Sequence, residues 1–341
     1  MLKNILILES TCDETAAAVV TMERVVLSSV VASQEHLHEK YGGVVPEIAS
    51  RAHVERIVPV IDEALRKAGL SLDDIDAVAV ANTPGLAGSL LVGLAAAKAL
   101  CVARGLPLVA VNHLQAHIYA CRLAAGHEVF PCLGLIVSGG HTSLYQCMTP
   151  LEFKLLGGTI DDAAGEAFDK VASLLGLPFP GGPSIEKAAQ SGNPRAVSLP
   201  RPMLDSDRLE FSFSGLKTAV RYRICPPGAT AAPLTSQAVS DLAASFQEAA
   251  IDCLVGKTLL ALKRTKMRML CVGGGVAANA RLRGRLSEET QRLGIALHIP
   301  PLELCTDNAV MGAIAVERLL AGLVEPLDLD VYPGLVRQTS R

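Results

Sequence analysis

The order of apolar and polar positions at the start of the chain predicts three β-strands, Asn4–Ser10, Ala16–Thr21 and Val25–Ser33. The polar link Thr11-Cys12-Asp13-Glu14-Thr15 between the first two is as short as an antiparallel turn requires. The period then changes: Ile48, Val54, Ile57, Ile61 and Leu65 give Pro46–Ala68 the spacing of a helix that stops at Gly69. Ile75–Ala81 reads as an apolar strand, and Thr83-Pro84-Gly85-Leu86-Ala87-Gly88 turns it into another helix. After a strand at Pro107–Val111, Asn112 is placed to cap a helix His113–Ala125 that ends at Gly126.

The same succession then returns. Strands are predicted at Cys132–Ser138, Ser143–Met148 and Phe153–Gly158, with the tight turn Gly139-Gly140-His141-Thr142 after the first. Helices follow at Asp162–Leu175 and near Ser236–Arg264. Strand Met269–Val272 runs through Gly273-Gly274-Gly275 into helix Ala277–Leu293, and strand Ala296–Ile299 precedes helix Asn308–Gly322. Both halves read as a β-meander, helix, strand, Gly-rich turn and helix, a match of pattern and not of letters. Such a degenerate repeat implies two like α/β domains facing one another, with a ligand cleft between them. The expected lobes are residues 1–112, completed by a helix at about 308–325, and residues 113–307.

Length and composition agree with that picture. A chain of 341 residues exceeds what one core usually holds, and half of it is hydrophobic while 19% is charged. No low-complexity tract or long charge run is present. The net charge of −3 neither requires nor excludes a nucleic-acid partner. Two basic clusters, Lys263, Arg264, Lys266 and Arg268, then Arg281, Arg283 and Arg285, read as solvated helix faces or ends. Nine cysteines stand singly with no CxxC pair, the pattern of buried thiols in a reducing compartment. The opening apolar run is too short for a secretory signal, and the Leu86–Ala103 run, broken by Gly88, Ser89, Gly93 and Lys98, suits a buried helix better than a membrane span. A cytoplasmic protein is expected.

Chemistry concentrates in three places. The turns Ser138-Gly139-Gly140-His141-Thr142, Gly273-Gly274-Gly275 and Pro84-Gly85 each follow a strand, where glycine lets backbone N–H groups approach a phosphate; none fits a Walker or Rossmann pattern. His113 and His117, four residues apart at a helix start, project from one face. Such a pair is commonly surface or core histidine, but Asp307 in Cys305-Thr306-Asp307-Asn308, a strand-to-helix turn of the other half, offers a third ligand. Two histidines and one carboxylate with open positions suit catalytic Zn²⁺ or Fe²⁺; Cys305 reads as a buried thiol, with a fourth ligand as its alternative. The HExxH peptidase reading fails because Leu114 stands where the glutamate is needed. Acidic residues are the third group: Asp13 and Glu14 in the first turn, and Asp161, Asp162, Glu166 and Asp169 around helix 162–175. Helix-dipole compensation accounts for Asp161 and Asp162 but less well for Asp169. Gly181-Gly182-Pro183-Ser184 reads as one more turn, either an ordinary loop or a close approach to a ligand.

Several stretches together carry a resemblance. Glu9–Thr15 (ESTCDET), Tyr41–Glu47 (YGGVVPE), Val137–Thr142 (VSGGHT), Asp161–Lys170 (DDAAGEAFDK), Phe211–Thr218 (FSFSGLKT), Gly273–Arg283 (GGGVAANARLR) and Cys305–Asn308 resemble the bacterial TsaD family of tRNA adenosine threonylcarbamoyltransferases over about residues 4–335. The resemblance implies a duplicated actin-like (ASKHA) two-lobe α/β fold with a nucleotide between the lobes. It implies one divalent metal on His113, His117 and Asp307, Fe²⁺ favoured and Zn²⁺ the alternative. Ile136, Val137, Ser138, Gly139, Gly140, Asp169, Gly182, Glu186 and Asn279 would line a threonylcarbamoyl-AMP pocket, with Asp13 and Glu14 near the reacting groups. The implied partners are tRNA, a smaller TsaB-type paralogue and a TsaE-type ATPase, with no membrane. Two departures stand out: Gln115 where the family often has Glu, and Thr83 where a Gly-Pro-Gly turn is usual. The rival readings are a small-molecule kinase of the same superfamily and a non-catalytic paralogue; the His/His/Asp set speaks against both.

Overall fold

The computed structural model describes residues 2–226, 228 and 233–334. The chain divides into two compact units, Met1–His127 with Thr306–Arg341, and Glu128–Cys305.

In the first unit β1 (Asn4–Glu9), β2 (Glu14–Thr21) and β3 (Val26–Ser33) form the predicted meander. A short helix α1 (Glu35–His38) leads to α2 (Pro46–Ala68), which begins on a proline and ends at Gly69 in the left-handed conformation. Then come β4 (Ala77–Thr83), α3 (Ala87–Arg104), β5 (Leu108–Asn112) and α4 (His113–Ala125). The sheet runs β3-β2-β1-β4-β5, antiparallel through the meander and parallel from β1 to β4 to β5. All seven residues of β4 are buried, as a parallel strand covered on both faces should be. α3 is long and apolar enough for a membrane span by composition, yet Leu94, Ala97 and Cys101 pack into this unit's core with Leu6, Leu8, Val78 and Val80.

The second unit repeats the plan. β6 (Cys132–Val137), β7 (Thr142–Thr149) and β8 (Glu152–Gly158) form its meander. Helices α5 (Ala164–Leu174), α6 (Gly181–Ala189), α7 (Ser214–Ile224) and α8 (Ser236–Thr265) precede β9 (Met269–Gly273), α9 (Ala280–Leu293), β10 (Ala296–His298) and α10 (Leu302–Cys305). The sheet order β10-β9-β6-β7-β8 reproduces the first one strand for strand, so the repeat expected from pattern is present in the topology. Its core joins Leu133, Leu135 and Val137 to Phe168, Phe211, Phe213 and Phe246.

Several boundaries differ from expectation for identifiable reasons. The segment after Asp307 is a 3-10 turn, Val310–Ile314, followed by α11 (Ala315–Leu320), not one long helix. α4 packs against that turn, so both belong to the first unit and its limit falls after His127, not at residue 112. Helix 277–293 opens as a 3-10 turn, Gly275–Ala278, because Asn279 is the true cap of α9 and accepts the Leu282 N–H at 3.0 Å. Gly181-Gly182-Pro183-Ser184, read as a turn that is either an ordinary loop or a close approach to a ligand, is the first turn of α6.

Candidate metal centre and glycine loops

His113 and His117 owe their placement to Asn112, whose Oδ1 accepts the N–H groups of Leu114 and Gln115 at 3.0 and 3.2 Å and so starts α4 where β5 ends. One helical turn apart, the two rings meet edge-on with centroids 4.6 Å apart. Asp307 Oδ1 lies 3.5 Å from His113 Nε2 and 3.2 Å from His117 Nε2. One donor atom from each of the three residues falls within 4.8 Å of the others. All three are in the first unit, so the expectation that Asp307 comes from the opposite half is corrected. Cys305 belongs to the second unit and is a buried thiol whose Sγ lies 3.1 Å from the Arg283 guanidinium, outside the cluster. Leu114 is buried and Gln115 half-buried.

The donor set fits a divalent ion. His117 is fully buried, yet neither ring nitrogen has a hydrogen-bond partner among the described residues; Nε2 approaches Asp307 without hydrogen-bond alignment. An unsatisfied buried imidazole is costly unless something else takes its lone pair. Burial pushes the His117 pKa below its ordinary value despite the facing Asp307 carboxylate, which keeps the ring neutral and able to ligate. Burial opposes charge on His113 too, but the Asp307 and Glu9 carboxylates outweigh it and bring its pKa up to about 9.

The turn after β1 brings more acid. Burial, reinforced by the Asp13 and Asp307 carboxylates, pushes the Glu14 carboxyl well above the usual range; Ser33 Oγ donates to its Oε1 at 3.3 Å. Cys12 is raised by burial and by the same acids. Behind the turn the buried His53 bonds Thr15 Oγ1 at 2.7 Å and the Cys12 carbonyl at 3.0 Å, which fixes the backbone carrying Asp13 and Glu14. Glu9, which reasoning from the sequence placed only inside a motif, contacts His113 Nδ1 at 3.1 Å. Its signal was a buried acid closing the apolar run Ile5-Leu6-Ile7-Leu8.

The glycine turns divide. At Gly85 a Cβ would stand 2.6 Å from the Thr11 carbonyl, while Gly85 N–H bonds Pro333 O and Leu86 N–H bonds Thr11 O. That turn packs on the protein itself, so the phosphate-turn reading of Pro84-Gly85 is corrected. In the second unit Gly274, at φ +97°, packs on the Val137 carbonyl in the same manner. Gly139, Gly140 and Gly182 have no neighbour within 4 Å of an added Cβ, and no acceptor among the described residues takes the Gly139 or Gly140 N–H.

This bare turn continues from Ile136 and Val137 of β6, and the other predicted pocket residues are each tied to neighbours of their own. Ser138 and Gly139 carbonyls accept the Gly165 and Glu166 N–H groups and seat the start of α5. Asp169 Oδ1 accepts the Gly181 N–H at 2.7 Å and fastens α6; Glu186 Oε1 accepts the Ala280 N–H at 2.8 Å, and Asn279 Nδ2 donates to Gln247 at 2.9 Å. Asp161 and Asp162 precede α5 and do not compensate its dipole. Asp161 accepts from Ser212 Oγ and Ser214 Oγ at 2.6 Å each and from the Phe213 N–H at 2.8 Å, which caps α7; Asp162 pairs with Lys170 and Lys217. Burial acts against the charge on Asp161, but these hydrogen bonds outweigh it and hold its pKa below the ordinary value. Of the basic clusters, Arg281 and Arg285 are committed to Glu248 and Asp252, and Arg283 to the Ala277 and Pro300 carbonyls; Lys263, Lys266 and Arg268 are exposed around the end of α8.

Two α/β units of one topology, one with a His/His/Asp cluster and one with a bare glycine turn, define a metal-competent member of the actin-like fold class. Solved structures agree on the fold: HypF of T. kodakarensis matches with TM-score 0.63 at 14% identity, over 94% of this chain and 48% of that one. The ROK hexokinase of Thermus thermophilus matches with TM-score 0.51 at 16% identity, over 94% and 99%. The sequence profile of the TsaD family, tRNA N6-adenosine threonylcarbamoyltransferase, matches residues 25–314. Proteins of that name from Rhodopirellula baltica and Symbiobacterium thermophilum are each 54% identical, over 98% and 97% of this chain and 97% and 96% of their own lengths. The chain belongs to the TsaD family and is a tRNA-modifying transferase.

Proposed function

We propose that the chain transfers the threonylcarbamoyl group of threonylcarbamoyl-AMP to N6 of adenosine 37 in tRNAs reading codons that begin with A. N6 attacks the carbamoyl carbon, a C–N bond forms, the C–O bond to the phosphate breaks, and AMP leaves. The observation that carries the reading is the buried His113/His117/Asp307 cluster with its unsatisfied His117 ring, in a chain of this family. His113, His117 and Asp307 hold one divalent ion, Fe²⁺ favoured over Zn²⁺. When bound, such an ion supplies Lewis acidity and a fixed point of attachment for donor oxygens.

The remaining work falls to the chain's own groups. An aromatic amine is a weak nucleophile, so positioning and stabilisation of developing oxyanion charge carry most of the rate. The Gly139 and Gly140 N–H groups suit the anionic oxygens of the adenylate, with Ile136, Val137, Ser138, Asp169, Gly182, Glu186 and Asn279 lining its pocket. Asp13 receives the N6 proton, with Glu14 beside it. The nucleotide cleft implied by the resemblance is part of this proposal, as is a cytoplasmic location. The smaller TsaB-type paralogue and the TsaE-type ATPase are its partners; exposed Val54 and Val58 on α2, with Leu91 and Val102 on α3, form apolar faces suited to helix packing.

The test is incubation with unmodified tRNA, threonine, bicarbonate, ATP and the adenylate-forming enzyme, with and without the two partners, followed by nucleoside mass spectrometry. Threonylcarbamoyladenosine is expected; none under any combination would overturn the reading.

A further inference from the structure

Glu9 closes β1 with its side chain almost completely buried, and both carboxylate oxygens are in use. Oε1 accepts the Thr11 N–H at 2.7 Å, and Oε2 lies 3.1 Å from His113 Nδ1. Thr11 Oγ1 adds a second oxygen 3.2 Å from the same nitrogen. A carboxylate only accepts hydrogen bonds, so Nδ1 faces Glu9 with its proton, and Nε2, facing Asp307, is the nitrogen that gives up a proton when an ion is bound. His117 has no such partner on Nδ1. The two imidazoles of the cluster are therefore held by different means, one by a hydrogen-bonded carboxylate and the other by packing alone.

We infer that Glu9 is a positioning residue that fixes the tautomer and orientation of His113 so that Nε2, and not Nδ1, is presented as the metal ligand. Outer carboxylates of this kind typically change metal affinity by about 10–100-fold. The inference rests on the metal reading proposed above.

Glu9→Gln is the informative variant because it keeps the size of the side chain. The Thr11 N–H still requires an acceptor, so the amide oxygen turns to it and the NH₂ faces His113 Nδ1. Nδ1 must then accept, and the proton moves to Nε2, the nitrogen that should ligate. Metal-free wild type and Glu9→Gln are titrated with Zn²⁺ by calorimetry against a competing chelator, with far-UV circular dichroism as the check on fold. The tautomer of His113 is read in both, without metal and at about pH 10 where the ring is neutral, from ¹⁵N shifts of histidine-labelled protein. The expected result is a Zn²⁺ affinity about 10–100-fold weaker in the variant, with a protonated Nδ1 in the wild type and a protonated Nε2 in the variant. If the wild type takes up no Zn²⁺, the metal reading fails and this inference with it. If the wild type binds and Glu9→Gln binds equally well, or if wild-type His113 carries no proton on Nδ1, the role of Glu9 alone is overturned. The wild-type tautomer decides even where the variant fails to fold.

Discussion

The two units solve one topological problem with opposite chemistry at the same place. Each has a four-residue turn between the first two strands of its meander, Ser10–Asp13 in one and Ser138–His141 in the other. In each, a glycine just after the fourth strand presses on backbone at the turn or its approach: Gly85 on the Thr11 carbonyl, Gly274 on the Val137 carbonyl. Beyond that shared contact they part. The first turn has no glycine; it carries Asp13 toward Glu14 and lies between Glu9 and His53. The second carries two glycines between Ser138 and His141 whose N–H groups have no acceptor among the described residues. The packing is the same in both copies and the tip is not: one turn leads into the acids Asp13 and Glu14, the other carries two glycines with bare backbone.

The comparison breaks most severely at the histidines. His117→Ala is expected to lower threonylcarbamoyl transfer by on the order of 10²–10³-fold, the usual worth of one electrostatic contact to a transition state, while circular dichroism stays native; nucleoside mass spectrometry and metal analysis check it. The glycines sharpen it next. Gly85→Ala should lower unfolding stability by about 1–3 kcal/mol, because its methyl meets fixed backbone. Gly140→Ala should change stability by less than about 0.5 kcal/mol yet weaken adenylate binding by roughly tenfold, because its methyl holds an anion off the backbone N–H groups without removing them. Denaturant titration and equilibrium binding separate the two effects, and equal behaviour of the two variants would undo the contrast.

The smallest effect belongs to Asp161. Removing this cap of α7 should cost about 1 kcal/mol at neutral pH. Its folded pKa is depressed, so the stabilisation is present above the ordinary aspartate value of about 3.9 and lost as pH falls below it through the folded value. The stability gap between wild type and Asp161→Ala should therefore close in acid, as urea denaturation across pH 2–6 would read.

Much of this was legible in the sequence because periodicity reports burial. The meanders, α2 and the run of α4 from Asn112 to Gly126 follow from spacing and caps, and the histidine pair follows from α4. What escaped was set by contacts distant in sequence. Asp161 looks like an acid at a helix start until Ser212 and Ser214 are seen to meet it; Glu9 looks like the end of a strand until His113 arrives from 104 positions away. Gly85 and Gly140 are the same letter, and only the presence or absence of a neighbour tells a packing glycine from a bare one. The unit limit after His127 was hidden because α4 is anchored by a 3-10 turn that follows it by nearly two hundred residues.

The most direct test of the central claim is a metal titration of the metal-free chain, in the presence of its partners, tRNA and threonylcarbamoyl-AMP, with threonylcarbamoyladenosine counted at each step. Product formation is expected to be absent without metal, to rise to saturation at one ion per chain, and to stay absent in His113→Ala at every concentration. Full turnover by the wild-type chain under strict chelation would contradict it.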